Sequence, residues 1–244
     1  MNKKITLVAT PIGNLQDMSL RAIETLKNSD IILCEDTRNS SILLNFYQID
    51  NANLVSYHKF NETKMLEKIE QWLNLDKNIS IISDAGMPLI SDPGHILVNW
   101  CHNNNIEVDA IGGGSAIINA FVLSGFPIPF VFKGFFDSRV SKIQNQIANL
   151  EYDNSYIFFV SPHKLLEVLK QIDFVYKDEL KVFLVKELTK KFQKYFLGSA
   201  KQILDQIGSS FKGEYTIILC KPSKIKSKIK INKYQNYSKT NKTM

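Results

Sequence analysis

Ile79-Ser80-Ile81-Ile82-Ser83-Asp84-Ala85-Gly86-Met87-Pro88-Leu89-Ile90-Ser91-Asp92-Pro93-Gly94 is the stretch on which the reading of this chain turns. An apolar run at Ile79, Ile81 and Ile82 leads into a loop punctuated by glycine and proline, with little room for a tight hairpin. It reads as a strand feeding a functional loop. Gly86 admits positive φ or a close backbone approach to a ligand, and Pro88 stiffens the path. Asp92 followed by Pro93 matches a helix N-cap with proline at the first helical position. Such a loop is expected to present bare amide groups to a small molecule. Thr10-Pro11-Ile12-Gly13-Asn14 follows a second apolar run, Ile5 to Ala9, so two strand ends meet in one crevice, as they do at ligand sites of open α/β sheets.

Working outward, apolar β-branched runs at residues 5–9, 31–34, 54–57, 79–83 and 106–111 alternate with helical patterns. That alternation predicts an α/β fold. Met65, Leu66, Ile69, Trp72 and Leu73 share one helical face, and Ile96, Leu97, Trp100 and Cys101 are expected to point inward on another helix, which makes both tryptophans core residues. After Gly112-Gly113-Gly114 a helix is expected over residues 115–123, followed by Gly125, Pro127 and Pro129. The second half carries runs at 130–133, 155–160, 180–185 and 215–220, expected to form a smaller mixed sheet. The predicted organisation is two α/β domains, 1–113 and 114–222, with a cofactor cleft between them, and a basic tail at 223–244.

Composition bounds the answer independently. With 244 residues and 44% hydrophobic content the chain can bury a sizeable core. No apolar stretch reaches the roughly 18 residues of a membrane span, and residues 1–4 do not lead into a signal-peptide pattern, so the expectation is a cytoplasmic protein with no membrane partner. Cys34, Cys101 and Cys220 are far apart, which supports neither a disulfide framework nor a zinc pattern. His95 and His102 have no partner at ligand spacing, so no metal site is expected. Eight of the 30 lysines and arginines lie in the last 24 residues, which hold no acid, leaving 22 basic against 24 acidic residues in the body. The tail is expected to be mobile, and serves equally as a non-specific phosphate binder or as a solubilising segment.

Neither a G-x-G-x-x-G after the first strand nor a G-x-x-x-x-G-K-[ST] occurs, which disfavours a conventional dinucleotide site or an ATPase. Six motifs in register point elsewhere. They are the two loops above, Glu35-Asp36-Thr37-Arg38, Gly112-Gly113-Gly114-Ser115-Ala116, Ser161-Pro162-His163 and Glu187-Leu188-Thr189-Lys190. From residue 5 to about 220 the chain resembles the ribosomal RNA small subunit methyltransferase I family of the tetrapyrrole methylase-like superfamily.

That resemblance implies 2′-O-methylation of a cytidine ribose in the decoding region of 16S ribosomal RNA, with S-adenosylmethionine as cofactor. It also implies the small ribosomal subunit or its RNA as partner, and a homodimer. Two other readings stay open: a tetrapyrrole (porphyrinoid) methylase of the same superfamily, and a catalytically inactive RNA-binding relative. By motif position the resemblance places cofactor contacts at Pro11, Gly13, Asp84, Ala85, Gly86, Met87, Ile90, Ser115 and Ala116. Catalytic candidates are Glu35, Asp36, Arg38, Asp84, Lys186 and Glu187. Arg38, His58, Lys59, His163, Lys164 and Lys190 are candidates to face RNA.

The residues themselves leave alternatives. Glu35, Asp36 and Arg38 either point into the crevice or form a cap with a surface ion pair. Asp92 reads better as a cap than as a site residue. His163 suits proton shuttling or a helix start. The family has threonine where Met87 stands, proline where Gly112 and Gly114 stand, arginine for Lys186, and glutamate for Val160. The last departure leaves the general base unassigned.

Overall fold

In the computed structural model, residues 3–50, 52–208 and 211–223 are described, so the tail reading falls outside them apart from Ser223. The first half forms a parallel sheet of β1 (Lys4–Val8), β2 (Ile31–Cys34), β3 (Asn53–Ser56), β4 (Ile79–Ile81) and β5 (Glu107–Ile111), in the order β3-β2-β4-β1-β5. Because strand side chains alternate between faces, each face gathers its own core. Ile5, Leu7, Leu33, Ile79 and Ile81 pack with α3 (Glu62–Asn74) and α4 (His95–Asn103). Val8, Ile32, Cys34 and Ile111 pack with α1 (Leu20–Lys27) and α2 (Thr37–Phe46). Trp72 and Trp100 are half-buried against the first of these cores.

This topology determines where a crevice opens. β1 and β4 are neighbours, yet the helix after β1 covers one face and the helix after β4 covers the other. The chain therefore leaves the two strand C-termini toward opposite faces of the sheet, the place where open α/β sheets hold a ligand.

The second half forms a mixed sheet in the order β6-β7-β10-β8-β9. Its strands are β6 (Phe130–Phe135), β7 (Ser155–Val160), β8 (Lys181–Lys186), β9 (Lys194–Gly198) and β10 (Tyr215–Cys220). β6 runs parallel to β7 and the other pairings are antiparallel. It is not the smaller sheet expected, since it has as many strands as the first. The unforeseen strand is β9, a short edge strand in which lysine and tyrosine disguise the alternation.

β10 is buried along its whole length. On one side lie α6 (Val140–Ile147), α7 (Leu165–Tyr176) and α8 (Ala200–Gln206). On the other lies α5 (Ala116–Ser124), with Ile117 and Ala120 against Ile157, Phe183 and Ile218. Ile12, from the loop after β1, joins this last cluster, so apolar packing ties the two halves together.

A second expectation fails at Asp92 and Pro93. The helix begins only at His95, and its cap is Gly94 at φ +130°, where a Cβ would meet Leu89 Cδ1 at 2.5 Å. Among the described residues no helix is long and apolar enough to cross a membrane, and all three cysteines are buried and unpaired.

Ile217 sits at 0% exposure in the central strand of the second sheet. Ile217→Ala removes apolar contact and leaves a cavity between two packed faces, at an expected cost of about 2–5 kcal/mol. Urea unfolding followed by circular dichroism measures it.

Candidate active site

The loops after β1 and β4 are zipped together at one residue pair. The Thr10 amide donates to the Gly86 carbonyl at 2.8 Å, and the Gly86 amide donates to the Thr10 carbonyl at 3.1 Å. The Thr10 hydroxyl donates to the Ser83 carbonyl at 3.1 Å, and the Ser83 hydroxyl donates to the Gly86 carbonyl at 3.1 Å. The Gly86 amide is therefore not the bare donor that the sequence suggested, because Thr10 in the loop after β1 already uses it. Glycine is needed there nonetheless: φ is +83°, and a Cβ would lie 3.1 Å from Ile12 Cγ2 and 3.4 Å from the Gly114 carbonyl.

The glycine run after β5 closes the third side. A Cβ on Gly113 would meet Ala9 Cβ at 2.9 Å, and one on Gly114 would lie 3.3 Å from the Ile12 amide nitrogen. Gly112 faces open space, so only two of the three glycines answer to close packing. Leu89 and Ser91 hold left-handed φ values of 71° and 73°. Leucine and serine rarely adopt that region.

Two adjoining clefts result. The larger, about 370 Å³, is lined by residues 84–87 and 90–92 of the loop after β4, Ser115 with residues 116 and 117 of α5, and Phe135, Val160, Val185, Leu188 and Thr216 of the second half. Its volume lies in the range of small-molecule sites. The smaller, about 260 Å³, is bounded by Pro11, Gly13, Asn39, Asp84, Ala85, Lys190 and Glu214.

Of the sequence-predicted cofactor residues, Asp84, Ala85, Gly86, Met87, Ile90, Ser115 and Ala116 line the larger cleft. Pro11 and Gly13 line the smaller one, and Asp84 and Ala85 border both. Ser115 spends its hydroxyl on the Ile118 amide at 3.3 Å as the α5 cap. It thereby directs the positive end of that helix at the cleft.

The catalytic candidates divide. Asp36 caps α2 through the Arg38 amide at 2.9 Å and forms a two-pronged ion pair with the Arg38 guanidinium, at 3.0 and 2.6 Å. Those bonds hold the Asp36 carboxyl down at about 2. Arg38 pairs with Asp36 rather than Glu35, and neither Glu35, Asp36 nor Arg38 lines a cleft. Lys186 also lies outside the linings, its ammonium 5.7 Å from the Tyr215 ring centre. Partial burial pushes the Glu187 carboxyl up, but bonds from the Glu214 amide at 2.8 Å and Lys190 at 3.3 Å, with the nearby Lys186 charge, outweigh it and leave its pKa lowered. Glu187 thus pins two segments together. Asp84 accepts from Asn39 Nδ2 at 3.0 Å.

Of the RNA-facing candidates, Lys190 bridges Glu187 and Glu214 at the wall of the smaller cleft. Lys59 donates to the Ser91 carbonyl at 3.1 Å, and His58 Nδ1 accepts from the Phe60 amide. His163 is exposed, and Lys164 donates to the Phe136 carbonyl at 3.3 Å; both follow Ser161 and Pro162, which line the larger cleft. No group of three or more His, Cys, Asp or Glu side chains is arranged to hold a metal among the described residues.

Sequence reasoning passed over Asp92 and Glu214. Asp92 lines the larger cleft. Burial, then the charge of Glu35 and, least, that of Asp84, raise its carboxyl to about 6 against the opposing Ser83 bond and Lys59 charge. A carboxyl close to two others is where a titrating group belongs, but the Asp-Pro cap signal masked it. Glu214 lines both clefts, and no local pattern marks it.

An acid whose folded pKa is raised contributes stability below its unfolded value of about 3.9, and loses that contribution as pH rises through about 6. Asp92→Asn removes the titration. Its thermal midpoint relative to the unaltered chain is expected to rise between pH 4 and pH 8, which calorimetric melts at both pH values read directly.

Comparison with known proteins follows the same line. The sequence model of the tetrapyrrole (corrin/porphyrin) methylases matches residues 4–204. The chain is 56% identical to ribosomal RNA small subunit methyltransferase I of Mesomycoplasma conjunctivae, over 98% of this chain and 99% of that one. It is 49% identical to the protein of that name from Mycoplasmopsis pulmonis, covering 88% and 96%, and 40% identical to the one from Thermotoga maritima, covering 88% and 97%. The fold is similar to a uroporphyrin-III-C-methyltransferase from Thermus thermophilus, with TM-score 0.63, 14% identity and coverage of 89% and 94%. It is also similar to a putative diphthine synthase from Entamoeba histolytica, with TM-score 0.62, 17% identity and coverage of 93% and 95%. With its crevice at the ends of β1 and β4 and relatives matched along nearly its whole length, the chain belongs to the tetrapyrrole methylase family, among the ribosomal RNA small subunit methyltransferase I proteins.

Proposed function

We propose that the chain methylates the 2′-oxygen of a cytidine ribose in the decoding region of 16S ribosomal RNA, in the cytoplasm and as a homodimer. The observation that carries this reading is a cleft with an apolar wall and carboxylates at its edge, in a chain so similar to curated ribosomal RNA methyltransferases.

The cleft fits S-adenosylmethionine. Ile12, Met87, Phe135 and Leu188 form an apolar surround. The first turn of α5 at Ser115 and Ala116 favours a carboxylate such as that of the methionine moiety. Asp84 and Asp92 supply negative charge toward a sulfonium or ammonium. Ala85, Gly86, Met87 and Ile90 would hold the remaining surface. S-adenosylmethionine supplies a methyl group activated by the sulfonium, so the protein's part is alignment and removal of the hydroxyl proton.

Asp92 takes that proton in our reading. A carboxyl raised to about 6 is ionised at neutral pH yet more basic than an ordinary aspartate. Its position also answers the missing glutamate at Val160, since the cleft then holds a base on the first-half loop. In this reading Lys190 at the smaller cleft, His163 and Lys164 next to the cleft-lining Ser161 and Pro162, and Lys59 bonded to Ser91 meet the ribose and its phosphates.

In this reading the domain boundary falls between residues 113 and 114, and the packing of α5 on the second sheet supports it. The homodimer reading is supported by apolar exposure at Val122 (71%) and Ile128 (76%), which a second copy would cover.

The decisive assay incubates the protein with labelled S-adenosylmethionine and small ribosomal subunits lacking the modification, then maps the label by nuclease digestion and mass spectrometry. A ribose-methylated cytidine in the decoding region is expected, and transfer to a base or to another nucleotide overturns the target. Asp92→Asn is expected to lower the transfer rate by roughly 10²–10⁴-fold with cofactor affinity retained. Gly86→Trp is expected to abolish cofactor binding in calorimetry, because the indole has no space beside Ile12 and Gly114.

A further inference from the structure

The outer edge of β9 pairs with no strand among the described residues. The segment entering it, Lys190-Lys191-Phe192-Gln193-Lys194-Tyr195-Phe196, interleaves cations with aromatic rings. Phe192 is 73% exposed and Tyr195 61%. A bare edge with exposed rings invites association unless charge guards it, and here lysines guard it.

Two of those lysines have no carboxylate in salt-bridge range. Lys190 is held by Glu187 and Glu214. Lys191 instead sits 5.6 Å from the Phe192 ring centre and Lys194 4.9 Å from that of Phe196, with no acidic partner for either among the described residues.

Register connects this edge to the larger cleft. Phe159, Thr216, Val185 and Tyr195 stand opposite one another across β7, β10, β8 and β9, so their side chains share a face of the sheet. The first three line the cleft. Tyr195, stacked on Phe183 with ring centres 5.7 Å apart, continues the row to solvent. On the opposite face Tyr215, Lys186 and Lys194 form a parallel row.

We propose that β9 and the turn before it are the docking strip for the single-stranded RNA that delivers the target nucleotide. Phe192 and Tyr195 stack on flanking bases, while Lys191 and Lys194 meet phosphates. Aromatic platforms flanked by cations are how proteins hold unpaired RNA. Charge favours this occupant over a second copy of the chain, which would bring the same unneutralised lysines to the contact. The proposal rests on the RNA reading above and adds to it the surface that binds.

The test uses the full chain, small ribosomal subunits lacking the modification, and a labelled single-stranded oligoribonucleotide of the decoding region. Binding is measured by fluorescence anisotropy across a salt series. Phe192→Ala is expected to weaken RNA binding about tenfold at every salt concentration. Lys191→Ala with Lys194→Ala is expected to reduce the slope of log affinity against log salt by about 1–2. The same losses should raise KM for subunits, while calorimetric affinity for S-adenosylmethionine stays at its unaltered value and controls for folding.

Equal affinity and slope in variant and unaltered chain overturn the docking strip alone. Variants that change the mass in sedimentation but not RNA affinity make the strip a protein interface and also overturn it. An unaltered chain that neither binds nor methylates RNA overturns the substrate reading, and the strip with it.

Discussion

The reciprocal hydrogen bonds between Thr10 and Gly86 are the constraint on which the site depends. Parallel strands end with their carbonyls and amides unpaired, and the loops that follow normally diverge. Here one residue from each loop makes a two-bond bridge, reinforced by the Thr10 and Ser83 hydroxyls. With that bridge in place, Gly113 can pack on Ala9 and Gly114 on Ile12 only without side chains. Ile12 is then delivered to the second sheet's apolar cluster. One backbone pairing therefore shapes the cleft floor, aims α5 and joins the two halves.

Opposite this floor, the wall is held by charge. Glu187 and Thr189 adopt left-handed φ values of 52° and 66°, a conformation that needs outside support. The support comes from Glu187 bonding to the Glu214 amide, Lys190 bridging two carboxylates, and the Thr189 hydroxyl accepting from the Asn14 amide at 3.1 Å. Gly13 fits beneath because a Cβ there would meet Lys190 Cγ at 2.4 Å. The motif residues Glu187, Thr189 and Lys190 thus shape the site by building its wall. Asp84, Asp92 and the nearby Glu35 concentrate negative charge on the first-half side, which suits a cationic cofactor.

Much of this was legible in local pattern. Strands β1, β2 and β4 announce themselves because buried parallel strands need apolar β-branched runs, and the helix expected over residues 115–123 forms at Ala116–Ser124 with Ser115 as its cap. β9 was not legible, because an edge strand with one covered position, Phe196, carries too weak a period. Asp92 was misread because Asp-Pro is a sound local cap signal. The chain instead continues through Pro93 to a glycine cap, and the carboxyl folds in beside Glu35 and Asp84.

By itself, the sequence determined the α/β alternation and the two loops after β1 and β4, since these depend on side-chain period and on glycine and proline at neighbouring positions, while the family resemblance marked Asp84, Ala85, Gly86, Met87, Ile90, Ser115 and Ala116 among the residues of the larger cleft. Tertiary structure alone decided which carboxyl titrates, which of three glycines is sterically required, and that Glu214 faces both clefts. Those properties arise from groups far apart in the chain meeting at a few ångströms, where desolvation and contact distances act and local pattern carries no signal.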